Sequence, residues 1–363
     1  MNPSFEYIFP AIRGVQAGRE YYVSMCPLKL IPKIFLFDDE ELVPEIRAQR
    51  TLNRTRVPEM AKYVIENRSD YVFSAITASI NGDINFKPIG DSGEASRVGS
   101  LHVDMQAQFI INDGQHRRAA IEQALKEEPK LGDETIAVVF FVDRGLERCQ
   151  QMFADLNRHA VRPSKSLGLL YDHRDDKAQL AKRVVLNSKL FNGLVEMEKT
   201  NLSARSRKLF TLSAIYSGNA ALLEGQELDS IEEAADICAS YWDEVGKYIA
   251  EWNFVKESKM TAGDVRRDFI HSHAIVLQAL GHVGRTLLNK HEKDWKKLVK
   301  KLSSINWSRT ESRIWEGRAM LGGRVSKASL NVTLTTNYIK TQLGLQLNPD
   351  EEAAEKEFKK GNA

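Results

Sequence analysis

Nine consecutive residues, Ile110-Ile111-Asn112-Asp113-Gly114-Gln115-His116-Arg117-Arg118, hold the densest chemistry in this chain. They join a strand-like segment (108–111) to an amphipathic helix expected over 117–126. A glycine turn ahead of a helix leaves backbone N–H groups without partners, and the aligned peptide dipoles add partial positive charge there. In a phosphate reading, the amides around Gly114, Gln115 and His116 take its oxygens. Arg117 and Arg118 then add charge, Arg117 through its planar fork. Asp113 could help hold a magnesium ion, because carboxylates suit that metal. A plainer reading fits the same residues: Asp113 caps the helix, Gly114 makes the turn, and the arginines face water. The two readings part on one point. A phosphate seat requires arginines that are not pinned to acidic side chains, beside a hollow that packing does not fill. No GxxxxGK[ST] loop occurs anywhere in the chain, so this is not a Walker-type site.

Other polar constellations are less specific. Asn157, Arg158, His159 and Arg162 follow an expected helix over 146–156, where cations also complement a helix C-terminus. Arg47, Arg50, Arg54 and Arg56 crowd ten residues ahead of a helix expected over 57–67; Arg50, Arg54 and Arg56 are candidate DNA contacts, since such density near a helix start can bind phosphates, though a solvated polar turn fits too. Residues 177–208 carry eight Lys/Arg against only Glu196 and Glu198. Within that stretch Lys182, Arg183, Arg205, Arg207 and Lys208 are candidate DNA contacts, serine and arginine interleaving in a way that suits phosphate backbones. Lys293, Lys296, Lys297, Lys300 and Lys301 share one helical face, which solvent alone would explain. Metal and acyl chemistry find no support. His271 and His273 are two apart and diverge on a helix, Asp172-His173-Arg174 are adjacent and do not converge, and no GxSxG is present.

These residues must be positioned by 363 amino acids, long for one core and therefore expected to form two domains. Hydrophobic content of 42% and charged content of 28% describe a globular chain. No apolar run reaches membrane-span length, and the N-terminus lacks the pattern of a signal peptide. Cys26, Cys149 and Cys238 are far apart and read as reduced, buried thiols, so a cytoplasmic protein without a metal site is expected. Charge is uneven. Residues 1–175 hold 22 basic against 25 acidic residues, and the remainder 29 against 24, which places the expected nucleic-acid face in the second half.

Strand signals fall at 21–25, 34–37, 72–80, 108–111 and 136–142, with helical spacing at 40–47, 57–67 and 117–126. Gly82 suggests a hairpin turn and 90–100 a mobile loop. Beyond Val142 the pattern is helical. Ser230/Glu233 and Ser308/Glu311 have capping-box spacing, and a long helix over 269–288 is loosened by Gly281 and Gly284. The fold class expected is α+β: a small mixed sheet with helices over 1–175, an all-helical domain over 176–348, and a polar tail over 349–363 that frays.

At Asp113-Gly-Gln-His-Arg117 the chain resembles the DGQHR-domain proteins, and among them the DndB family of bacterial DNA phosphorothioate (sulfur) modification. The resemblance extends over Gln49 to Pro58, Asp70-Tyr-Val-Phe-Ser74, Asp113 to Ala119, Gln150 to Asn157 and Tyr171-Asp-His-Arg-Asp175. It implies a repressor that binds double-stranded DNA at the promoter of the modification genes, as a homo-oligomer, alongside sulfur-modification proteins and away from membranes. It also implies a ParB/sulfiredoxin-like N-terminal fold with Gly114, His116 and Arg117 on nucleotide phosphates and Asn157 in a second box. Two alternatives accompany it: a nucleoside triphosphatase using ATP or CTP with magnesium, and a scaffold with a vestigial pocket. The chain departs from those patterns at Gln115, where sulfiredoxins carry the catalytic cysteine. It departs again at Leu156 and Ala160, where ParB-type boxes carry Glu and Arg. Binding survives these departures better than turnover does.

Overall fold

The computed structural model describes residues 5–35, 55–142, 151–152, 155–156, 163–291 and 293–361. It forms two compact units, Met1–Val161 and Arg162–Ala363. The first is built on a seven-stranded mixed sheet, and the described residues of the second are mainly helical, so the fold is α+β.

The strands are β1 (Glu6–Gln16), β2 (Arg19–Pro27), β3 (Ile76–Asn81), β4 (Ile84–Pro88), β5 (Val98–Asp104), β6 (Gln108–Asp113) and β7 (Thr135–Val142). Their order is β4-β5-β1-β2-β7-β3-β6; the β3–β7 pair is parallel and the others are antiparallel. This order settles the sheet's shape. β3 and β4 are consecutive, yet five inter-strand spacings separate them, roughly 24 Å on a flat sheet. The three Cα steps from Asn81 to Ile84 reach only about 11 Å. The sheet must therefore curl until its two ends approach. Side chains agree: the Phe9 ring on β1 lies 6.1 Å from Phe109 on β6, four strands away in the order. Gly82 is thus no hairpin turn. It links strands that do not pair, and a Cβ there would meet Ala107 Cβ at 2.4 Å.

Period-two burial marks the inward face, with Tyr22, Ser24 and Cys26 buried along β2. Two expectations change. Ile34 ends a short helix, Ile31–Ile34, rather than opening a strand. Val98, Gly99 and Ser100 belong to β5, and the preceding loop is tied down by Arg13, whose Nη2 donates to the Ser96 carbonyl at 2.9 Å. Helices α1 (Arg56–Glu66) and α2 (Gln115–Glu127) bury Ala61 and Val64 against Ala120, Ile121 and Ala124 in the same core.

In the second unit the helices that matter are α3 (Lys165–Tyr171), α4 (Asp176–Asn187), α5 (Leu212–Leu222), α6 (Ile231–Lys247), α7 (Ala250–Lys256), α8 (Ala262–Asp268), α9 (Ala274–Lys290), α10 (Ser329–Leu343) and α11 (Pro349–Gly361). Residues 163–175 belong to this unit. Ser166 Oγ donates to Ser213 Oγ at 3.2 Å, and Tyr216 OH donates to Asp175 Oδ2 at 3.0 Å. Glycine allows α5 and α9 to touch: a Cβ on Gly281 would lie 2.2 Å from the Gly218 carbonyl oxygen. Gly281 therefore tightens the pair rather than loosening the helix. Of the two expected capping boxes, Ser230 accepts the Glu233 amide at 3.1 Å, whereas Ser308 turns to the Thr310 amide and caps no helix.

The segment 349–363, expected to fray, is helical over Pro349–Gly361. Polar composition misled here, because its acids meet buried cations. Arg318, 8% exposed, donates to Glu355 Oε2 at 2.8 Å and lies 4.5 Å over the Phe358 ring. Lys340 donates to Glu351 Oε1 at 2.6 Å.

Candidate nucleic-acid interface

The strand–turn–helix expected at 110–118 is present. β6 ends at Asp113, Gly114 takes a left-handed φ of 112°, and α2 begins at Gln115 with no side chain capping its first turn. The arginines, however, do not face a hollow. Arg117 Nη2 donates to Asp113 Oδ2 at 2.7 Å and to the Ala75 carbonyl at 3.1 Å, and its buried Nε finds no acceptor. Arg118 is 6% exposed; it donates to the Phe35 carbonyl at 2.9 Å and the Pro32 carbonyl at 3.3 Å, and pairs with Glu122. The space over Gly114 is filled by Ile76 Cγ1 and the Arg117 guanidinium, 3.0 and 3.1 Å from where a Cβ would stand. Gln115 turns its amide back to the Ile111 carbonyl at 3.3 Å, and His116 also has partners.

The assignment of Arg117 and Arg118 to a phosphate is therefore corrected. Each is held by a carboxylate four residues away, Arg118 by Glu122 along the helix face and Arg117 by Asp113 at the end of β6, which sequence spacing alone did not rank above the anion reading. As they stand, these residues do not fit a bound nucleotide with magnesium. Asn157, like Arg50 and Arg54, lies outside the described residues.

The basic stretch of the second unit gives a better-formed surface. Its chain enters from Val195–Glu196 and leaves through Phe210–Thr211, two short parallel strands that fix the ends of a loop. The loop is held from beneath by an arginine that spacing gave no reason to single out. Arg266 Nη2 donates to the carbonyls of Ser203 (2.6 Å) and Ala204 (3.5 Å), and Nη1 to those of Ser206 (3.2 Å) and Lys208. Burial holds the Arg266 guanidinium below its usual pKa, and no carboxylate faces it among the described residues. Gly263 permits this seat, because a Cβ there would lie 2.2 Å from the Ala204 carbonyl oxygen.

Held in this way, the loop presents Arg205 and Arg207 outward, both exposed and with no partner among the described residues. They border an open cleft of about 1130 Å³ that also takes in Lys256 and Lys259, with Asp264 and Asp268 on its wall paired to Arg267. A guanidinium with no acceptor in its own protein, on a backbone already ordered, suits an external phosphate.

The remaining candidates divide. Lys208 extends to the Gly193 carbonyl at 2.8 Å and closes the loop's base. Lys182 is corrected from DNA contact to helix cap, its ammonium donating to the carbonyls of Leu170 (3.0 Å) and Asp172 (2.9 Å) at the end of α3. Arg183 pairs with Glu232 at 2.7 Å on the surface, and Arg56 is exposed at the start of α1. Asp175 caps α4 through the amides of Lys177 and Ala178, a structural role. Burial pushes the thiols up, Cys26 to about 11 and Cys238 to about 12, so neither offers a thiolate at neutral pH. Among the described residues no helix is long and apolar enough to cross a membrane, and no cluster of three or more His, Cys, Asp or Glu is placed to hold a metal ion.

No curated protein and no solved structure matched this chain. A family model did, the DndB family described as DNA-sulfur modification-associated, and its match runs over residues 9–346. That span takes in both units, the strand–turn–helix and the basic loop, and so the chain belongs to the DndB family of proteins associated with DNA sulfur modification.

Proposed function

We propose that this protein binds double-stranded DNA and represses transcription of the sulfur-modification gene cluster, with the loop 201–208 as a principal contact. The observation that carries the reading is the pair of exposed guanidinium groups on Arg205 and Arg207, without a partner among the described residues, on a loop whose backbone carbonyls are held by Arg266. A pre-ordered loop loses less conformational freedom on binding than a mobile basic tail would. Contacts of this kind hold the protein on DNA, while base-edge contacts must select the operator. A symmetric oligomer fits that task, since paired half-sites match a two-fold axis. Association with the sulfur-modification proteins belongs to the same proposal.

Fluorescence anisotropy tests it, with a duplex from the promoter of the modification genes set against a scrambled duplex of equal length. Tighter binding to the promoter is expected. Equal affinity for both would remove the regulatory role and leave a general DNA binder. No binding even at low salt would remove the DNA reading and favour a scaffold.

A further inference from the structure

On the other side of the loop 201–208 lies a second cleft, of about 570 Å³, whose lining includes no Asp or Glu. Three independent features meet there. The first is a helix start. α9 runs for 17 residues from Ala274, and no side chain caps it. Its first acceptor bonds begin at Val276 and Leu277, both to the His273 carbonyl, so the Ala274 and Ile275 amides have no acceptor among the described residues. Both residues line the cleft.

The second feature is an orphaned hydroxyl. Ser272, just ahead of that helix start, is 5% exposed, lines the cleft, and its Oγ has no hydrogen-bond partner among the described residues. A buried hydroxyl is normally satisfied, so one left open beside two open amides marks a place where a ligand's acceptors belong. The third is charge without a counter-ion. Among the described residues, Arg266 donates only to carbonyls, and Lys327 Nζ only to Ser217 Oγ, at 3.1 Å. Burial and the neighbouring Lys165 both hold the Lys327 ammonium below its usual pKa, which is the behaviour of a cation lacking an anion. The one other full cation on the wall, Arg267, is already paired with Asp264 and Asp268.

We propose that this cleft is a phosphate-binding site, in which the Ala274 and Ile275 amides and the Ser272 hydroxyl donate to phosphate oxygens while Arg266 and Lys327 supply the balancing charge. Helix dipole and open amides favour an anion, no carboxylate lines the cleft, and the nearby Asp264 and Asp268 are neutralised by Arg267. The volume falls in the range of small-molecule pockets, so the phosphate can come from a free nucleotide or from a DNA backbone bound at the adjoining loop. The site stands independently of the DNA reading.

Isothermal titration of the full chain with inorganic phosphate provides the test. Saturable binding is expected. Lys327→Met should weaken it roughly tenfold or more, the usual effect of losing a charged hydrogen-bond partner. Ser272→Ala should weaken it several-fold while leaving the melting temperature unchanged or raised, because that hydroxyl makes no bond among the described residues. A purely structural serine would lower the melting temperature and leave phosphate affinity alone. Two further arms identify the source. ATP binding more tightly than phosphate points to a nucleotide, and phosphate displacing the promoter duplex points to a backbone phosphate. Absence of saturable binding, or affinities unmoved by both substitutions, would overturn the proposal.

Discussion

Glu355→Gln tests how α11 is held. Arg318 and Glu355 have side chains only 9% and 15% exposed, and the guanidinium is otherwise met by the Leu334 carbonyl and the rings of Tyr338 and Phe358. Removing the carboxylate's charge leaves a buried cation facing only neutral acceptors, the Leu334 carbonyl and the new amide oxygen, with the amide NH2 set against the guanidinium. Breaking one side of a buried pair costs about 3–5 kcal/mol. The helix has an alternative: it can detach, let Arg318 rehydrate, and give up the Phe358 packing and the Lys340–Glu351 pair instead. The observed loss is whichever of the two is smaller. At about 2–4 °C per kcal/mol for a unit of this size, the melting temperature should fall by roughly 6–20 °C, or residues 349–361 should become protease-sensitive with a smaller fall. Scanning calorimetry with limited proteolysis separates these outcomes. Arg318→Met with Glu355→Leu should recover most of the loss, because an apolar pair carries no stranded charge. A melting temperature within about 1 °C of wild type, with the helix still protected, would refute the account of how this segment is ordered.

The same pair makes a pH prediction. Arg318 holds the Glu355 carboxyl below its usual value of 4.5, so its contribution is complete above that value and lost as pH falls through the lower folded one. Histidines act at higher pH. Burial holds His271, His273 and His282 below the ordinary 6.5; the unfolded chain protonates first, and urea midpoints should decline as pH drops below about 6.5. A midpoint that is flat or rises from pH 7 to 5.5 would reject this. Gly263→Ala should displace the Ala204 carbonyl, reduce stability by roughly 1–3 kcal/mol and weaken DNA binding, read by urea titration and anisotropy. Unchanged DNA affinity would show that the loop's position is irrelevant. Arg117→Met should cost about 1–2 kcal/mol through its bonds to Ala75 and Asp113 without changing phosphate titrations. A loss of phosphate affinity would restore the anion seat at Gly114.

Much of the architecture was legible because it is local. The runs at 21–25, 108–111 and 136–142 lie in strands, the Ser230 cap forms, and the change from mixed sheet to helices follows the loss of strand signals after Val142. What failed to show depends on partners distant in the chain. Gly82 has the composition of a hairpin turn, but which strands it joins is decided by the curl of the sheet. Arg118 reads as a surface cation until Phe35 and Pro32, more than eighty residues earlier, take its donors. Arg266 follows the loop it clamps by some sixty residues, and neither side shows a pattern alone. The resemblance at 113–117 located the turn correctly, while the exposure of Arg205 and Arg207 and the burial of Arg118 follow from packing that the local pattern does not show.

The most direct test of the central claim is the salt dependence of promoter-duplex binding by Arg205→Ala/Arg207→Ala. Each DNA phosphate that the variant no longer neutralises should reduce the slope of log affinity against log salt by roughly 0.9, so two such phosphates predict a fall of about 1.8 together with weaker binding. An unchanged slope would contradict the claim and return this loop to plain solvated surface.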